Sequence, residues 1–164
     1  MIERPRIYLD ANIFIAAFEA GHSGAFDLFA STKPATMRPL CTSVLTKAEL
    51  LVKPLREGNH QLAELYQNWS ISNDILEVGD IDGSVARYAA VLRSQYRWLK
   101  LPDAVHLSTA LGFECTHFLS FDRDLERVTE IANTRWGVSK SQLMPTYLSP
   151  ADPDFRGVLA KVAE

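Results

Sequence analysis

The chain predicts an α/β fold, a central and mostly parallel β-sheet covered by helices on both faces. Three observations carry that prediction. Strand-like and helix-like segments alternate along most of the 164 residues, the order that builds parallel sheets with crossover helices. Ile7-Tyr8-Leu9 and His117-Phe118-Leu119-Ser120-Phe121 are short β-favouring runs without regular polar alternation, as strands buried on both faces read. An aspartate, Asp10 or Asp122, follows each run at once.

Taken in order, Ile7–Leu9 is the first strand, and the apolar segment Ala11 to Phe18 is compatible with a helix. Gly21-His22-Ser23-Gly24 is a turn, after which Ser23 caps a helix to about Ala30 with Phe26 and Phe29 on its apolar side. Lys33-Pro34 breaks it. A second strand falls around Met37 to Thr42, with an irregular start imposed by Pro39. Ser43 reads as the N-cap of a helix that ends before or at Pro54. On an ideal helical wheel its apolar stripe holds Val44, Leu45, Ala48, Leu51, Val52 and Leu55, and Glu49 lies just beyond, at about 140° from Val44.

Glu57 to Trp69 spaces Leu62, Leu65, Tyr66 and Trp69 for one helical face, and Ile75–Val78 is a third strand. Asp82 or Ser84 caps a helix with Val85, Tyr88, Ala89, Leu92 and Tyr96 inward and Arg87, Arg93 and Arg97 outward. Pro102-Asp103 opens the next helix with proline near its first position. The stretch from about 130 to 142 is polar and reads as an extended loop or insertion. Met144 to Leu148 is a short last strand, and a terminal helix runs from about Asp154 to Val162. No repeat, linker or second domain is visible, so 1–164 reads as a single domain.

A hydrophobic fraction of 47% with 23% charged residues is that of a soluble globular protein. No apolar run reaches membrane-span length, and Met-Ile-Glu-Arg-Pro-Arg lacks the apolar core of a signal peptide, so cytoplasmic residence is the expectation. Cys41 and Cys115 are too few and too far apart for a disulfide framework or zinc site, and read as buried free thiols. The net charge of −3 does not advertise a nucleic-acid binder. Setting four clustered acids aside, however, leaves the remainder slightly basic, with Lys and Arg free to line a groove for a phosphodiester.

Those four acids are Asp10, Glu49, Asp103 and Asp122. Each has an ordinary structural use: Asp10 as a helix cap, Glu49 as a boundary residue, Asp103 as a complement to a helix dipole. In a doubly wound sheet, strand C-termini and the N-termini of the following helices share one edge, at the topological switch point. That edge receives Asp10, Asp103 and Asp122, and Glu49 reaches it from the side. Four close carboxylates raise one another's pKa unless a counter-charge is present. Oxygen-only donors select Mg²⁺ or Mn²⁺ over zinc. Such an ion activates water and stabilises a phosphoryl oxygen, which points to phosphodiester hydrolysis.

The series Tyr8-Leu9-Asp10-Ala11-Asn12-Ile13-Phe14, Thr42-Ser43-Val44-Leu45-Thr46-Lys47-Ala48-Glu49-Leu50, Leu101-Pro102-Asp103-Ala104-Val105-His106 and Phe118-Leu119-Ser120-Phe121-Asp122-Arg123-Asp124-Leu125 resembles a PIN domain. Each motif is short, and their ordered set is the specific signal. Tyr147-Leu148-Ser149-Pro150-Ala151-Asp152 fits a usual ending, and 130–142 exceeds what a compact PIN domain needs. The resemblance implies a three-layer PIN-like fold and a Mg²⁺- or Mn²⁺-dependent endoribonuclease. It further implies the toxin of a VapC-like toxin–antitoxin pair, held by a small antitoxin, with a homodimer as the expected assembly. Asp10, Glu49, Asp103 and Asp122 match the family's acidic metal positions. Asn12, Ser43, Ser120 and Asp124 match accessory positions, and His106 is expected to face solvent.

The apolar stretch Ile13–Phe18 and the Phe26/Phe29 helix offer contacts for a second copy or an antitoxin, unless they pack in the core. A non-catalytic PIN-like module that binds RNA or protein is the alternative. A haloacid-dehalogenase-type phosphatase expects a second Asp where Asn12 stands. A receiver domain expects an acidic pair near the first strand's end and a late Lys.

Overall fold

The computed structural model describes residues 3–164, and at 134 and 135 the backbone alone. Its elements are β1 (Ile7–Leu9), α1 (Ala11–Phe18), α2 (Ser23–Ser31), β2 (Leu40–Ser43), α3 (Val44–Glu57), α4 (His60–Trp69), β3 (Leu76–Gly79), α5 (Gly83–Gln95) and α6 (Leu101–Gly112). β4 (His117–Leu119), a 3₁₀ turn (Arg123–Arg127), β5 (Glu130–Arg135), β6 (Val138–Leu143), β7 (Thr146–Leu148) and α7 (Asp154–Val162) follow.

Five strands form one parallel sheet in the order β3-β2-β1-β4-β7. The chain steps outward from β1 through β2 to β3, then returns to place β4 on β1's other side. The strand order therefore reverses between β1 and β4, which opens a crevice at their carboxyl ends. Register sets Leu9 beside Leu119, so the segments after both strands leave from the same edge.

The period-2 geometry of strands sorts side chains into two layers. Ile7, Leu9, Leu40 and Leu119 pack with α1, α2, α3, α4 and α7 through Phe14, Phe29, Leu50, Tyr66 and Phe155. Tyr8, Cys41 and Phe118 pack with α5 and α6 through Leu92, Ala104, Leu107 and Ala110. Small residues on α6 let it lie close against the sheet. Each large apolar side chain so buried contributes about 1.5–3 kcal/mol. Cys41 and Cys115 are buried free thiols.

Four local expectations are corrected. The helix capped by Ser43 does not stop at Pro54 but runs to Glu57, where Gly58 in the left-handed region (φ 64°) ends it. The Gly58 and Asn59 N–H groups take up the Leu55 and Pro54 carbonyls in a C-terminal cap. α3 also buries nearly the opposite face from the apolar stripe: Thr46, Leu50 and Pro54 point inward, while Val52 and Leu55 are 50% and 64% exposed. The Thr46 hydroxyl is satisfied inside by Thr42 at 2.8 Å, and Thr42 donates to the Leu9 carbonyl at 2.9 Å. α2 is capped by the His22 ring, which accepts from Ala25 N–H, rather than by Ser23.

The fourth correction concerns 130–142, expected as a loop. β5 and β6 form an antiparallel hairpin, paired from Glu130–Leu143 to Arg135–Val138. Its two-residue turn, Trp136-Gly137, has positive φ at both positions (56° and 77°), the handedness that matches strand twist. Both strands are largely exposed, so the polar sequence carries no alternating apolar signal; Ile131 is the buried anchor.

Candidate metal centre

Asp10 ends β1 and caps α1, its Oδ1 accepting the Ala11 N–H at 2.8 Å. Its Oδ2 accepts the Ser120 hydroxyl at 2.7 Å and lies 3.4 Å from the Asn12 amide nitrogen. Capping and site geometry are thus one arrangement, with the carboxylate buried and held by donors from both strands' ends. Burial raises the Asp10 carboxyl above its usual range, as does the Glu49 charge, against the lowering effect of His106, Ser120 and the Ala11 N–H.

Asn12 and Ser120 join the two strand ends. Asn12 Nδ2 donates to Ser120 Oγ at 3.0 Å, and its Oδ1 accepts the Phe121 N–H at 3.2 Å. Ser120 Oγ also accepts the Asp122 N–H at 3.0 Å, and its carbonyl accepts the Tyr147 hydroxyl at 2.9 Å. Asp122 caps the 3₁₀ turn by accepting the Asp124 N–H at 3.1 Å, while the Asp124 side chain is exposed. Ser43 is buried and accepts the Leu45 N–H at 3.1 Å. Its contribution is to start α3, the helix that carries Glu49.

Asp103 sits half-buried in the first turn of α6, with proline before it. Burial lifts its carboxyl above the usual range, and the Asp10, Asp122 and Glu49 charges lift it further; His106 opposes them. Asp103 thus lies within electrostatic reach of the other three acids at the switch point.

His106 departs from expectation. Instead of facing solvent it is 1% exposed, one turn beyond Asp103 on α6. Its Nε2 lies 2.7 Å from Glu49 Oε2 and 3.9 Å from Asp10 Oδ1, and its Nδ1 lies 2.7 Å from the hydroxyl of buried Tyr8. Burial depresses the imidazole's pKa, but the Glu49 hydrogen bond and the Asp10, Glu49 and Asp103 charges more than offset it, leaving it raised. The available signal was the i, i+3 spacing from Asp103, which puts both residues on one helical face.

The donor set fits a divalent cation. Asp10, Glu49 and His106 each offer an atom within 4.8 Å of the others, the one such group among the described residues. Asp103 and Asp122 stand outside that tight group. Carboxylates whose pKa values are raised by burial and by one another are short of positive charge, which a hard cation supplies.

Comparison with known proteins identifies the family and the fold. The profile of the PIN domain matches residues 7–131. No curated protein sequence matches the chain. Among solved structures, it is similar to a chain of a toxin–antitoxin complex from Klebsiella pneumoniae, 21% identical with a TM-score of 0.60 over 89% of this chain and 98% of that one. It is also similar to VapC20 of Mycobacterium tuberculosis, a sarcin–ricin-loop-cleaving toxin, at 21% identity and TM-score 0.58 over 74% and 93% of the two chains. VapBC2 of Rickettsia felis, solved with a DNA fragment from its promoter, matches at 18% identity and TM-score 0.57 over 74% and 92%. At these identities the likeness is one of fold.

Proposed function

The chain belongs to the PIN domain family, and on that premise we propose that it is an endoribonuclease dependent on Mg²⁺ or Mn²⁺ and the toxin of a toxin–antitoxin pair. The observation that carries the reading is the gathering of Asp10, Glu49, Asp103 and Asp122 at the switch point, with Asp10 and Asp103 both raised in pKa. We read 1–164 as one PIN-like unit acting in the cytoplasm. No helix among the described residues is long and apolar enough to cross a membrane.

Asp10, Glu49, Asp103 and Asp122 would hold the ion. When bound, a hard divalent cation supplies positive charge to a phosphodiester and makes water a stronger nucleophile at neutral pH. The chain's own part is to fix the donors. Asn12 and Ser120 hold Asp10 and tie the β4 exit to α1, and Asp122 is set by the cap it makes on the 3₁₀ turn. Asp103 is fixed by the first turn of α6, where the helix dipole favours its charge. Asp124, exposed, is a fifth, outer acid.

The restraining antitoxin and a second copy of the chain are the proposed protein partners. Of the apolar residues expected at such contacts, Ile13, Phe14 and Phe29 are core, whereas Ile15 and Phe26 remain exposed. Val52 and Leu55 of α3 add to the apolar surface left for a partner.

The test is cleavage of a mixed RNA pool by purified protein, freed of any co-purified antitoxin, with Mg²⁺, Mn²⁺ or chelator, beside Asp10→Asn and Asp103→Asn. We expect metal-dependent cleavage lost in both variants. Cleavage that ignores chelator contradicts the mechanism. Silence of the wild type with every metal supports the non-catalytic RNA- or protein-binding module instead.

A further inference from the structure

We propose that His106 is a positioning residue: anchored from behind by Tyr8, it holds the Glu49 carboxylate in place for the metal centre. The inference rests on the metal-site reading above and adds two residues to it, neither of them an acid. The need is visible at Glu49. Asp10 is clamped by Ala11, Ser120 and Asn12. Glu49 instead projects from the outer margin of α3, on a long side chain with several rotatable bonds to be fixed. Its oriented contact is the 2.7 Å bond to His106.

His106 is itself immobilised. Its other ring nitrogen meets the Tyr8 hydroxyl at 2.7 Å, and the Tyr8 ring stacks on Phe118 with centroids 5.2 Å apart and planes within 11°. Tyr8 belongs to the central strand and is fully buried. The rigid core of the sheet is thereby connected, through two hydrogen bonds, to the most exposed of the metal acids.

The hydrogen-bond chain points to positioning rather than ligation. A carboxylate oxygen accepts hydrogen bonds only, and two bare acceptors do not face each other at 2.7 Å. Nε2 therefore carries its proton toward Glu49, and the Tyr8 hydroxyl donates to Nδ1 when the ring is neutral. With a proton on Nε2, that nitrogen has no lone pair to offer a cation. In the proposed arrangement the ion's donors are carboxylate oxygens, and His106 stands behind one of them, as residues behind metal ligands commonly do.

The experiment is Mn²⁺ titration calorimetry on the wild type, His106→Phe, Glu49→Gln and the double variant. Tyr8→Phe, which keeps the stacked ring, is carried through a second cycle with Glu49→Gln, and thermal melts establish that each protein is folded. Loss of a residue behind a metal ligand weakens affinity by about 10–100-fold, so we expect that range for His106→Phe and a smaller loss for Tyr8→Phe. In the Glu49→Gln background neither change should weaken binding beyond about twofold, because a residue that acts through Glu49 has nothing left to act on. His106→Gln, whose amide can still donate to Glu49, should recover part of the loss.

Equal weakening by His106→Phe in both backgrounds would make His106 a ligand in its own right and overturn the proposal. Unchanged Mn²⁺ affinity in folded His106→Phe and Tyr8→Phe overturns it while leaving the acid site standing. A wild type that binds no Mn²⁺ overturns the acid-site reading and this inference with it.

Discussion

At Asp103 the structure makes a sign-definite statement about charge. Its carboxyl is raised by burial first and by Asp10 and Asp122 next, so in the metal-free protein the ionised form opposes folding. A raised folded pKa means that the native state holds a proton the unfolded chain has released, and stability from this group falls as pH rises from the unfolded value, 3.8, through the folded one. Asp103→Asn removes the repulsion. In metal-free buffer at pH 7 it should melt above the wild type, the gap should narrow at low pH, and added Mn²⁺ should raise its melting temperature far less. A variant that melts lower at pH 7 would show that repulsion does not dominate there. That Asp10, Asp103 and Asp122 share one edge was legible because strand ends and helix starts meet there in this fold class. The burial of His106 was not, because its partner Tyr8 lies 98 residues away and the i, i+3 spacing from Asp103 marks a shared face without marking the ring as enclosed.

At the level of elements, α1, α3 and α4 meet at Glu19. It accepts the Tyr66 hydroxyl at 2.5 Å and Lys53 Nζ at 2.8 Å. Burial raises the Glu19 carboxyl, but its bonds to Lys53 and Tyr66 lower it more, so the net shift is downward. Stability from a depressed carboxyl is present above the unfolded value, 4.5, and is lost as pH falls through the folded one. Glu19→Gln should therefore cost about 1–2 kcal/mol at pH 7 in urea unfolding, and the difference should close below pH 4.5. A cost that persists undiminished in acid would assign it to shape rather than charge.

The same helices show where pattern reading stops. The wheel of α3 favoured Val52 and Leu55, yet the helix buries Thr46, Leu50 and Pro54, with the Thr46 hydroxyl satisfied by Thr42. Glu49 lies on the margin of either stripe, so its arrival at the site survived that error. β1 and β4 were readable because burial on both faces leaves short apolar runs; β5 and β6, largely exposed apart from Ile131, leave no such trace.

Across the whole molecule, the proposed metal centre and the hairpin are built from different elements. The site is built from residues of β1, α3, α6 and the β4 exit, whereas the hairpin packs beside α5 through Ile131 and through Ala132 N–H to Gln95. Replacing 133–140 by Asn-Gly retains the pairs from Glu130–Leu143 to Ala132–Ser141, with a turn suited to a two-residue hairpin. Such a variant should keep Mn²⁺ affinity and cleavage rate within about threefold, the scatter expected for distant, uncoupled sites. A tenfold loss would tie the hairpin to the reaction.

The central claim is that an acidic switch point in a parallel sheet hydrolyses RNA with water. Its most direct test is cleavage in ¹⁸O-labelled water with Mg²⁺ or with chelator, followed by mass spectrometry of the fragment ends. The account predicts fragments only with the metal, each new terminal phosphate carrying one heavy oxygen. Termini bearing 2′,3′-cyclic phosphate, or cleavage that persists in chelator, would contradict it.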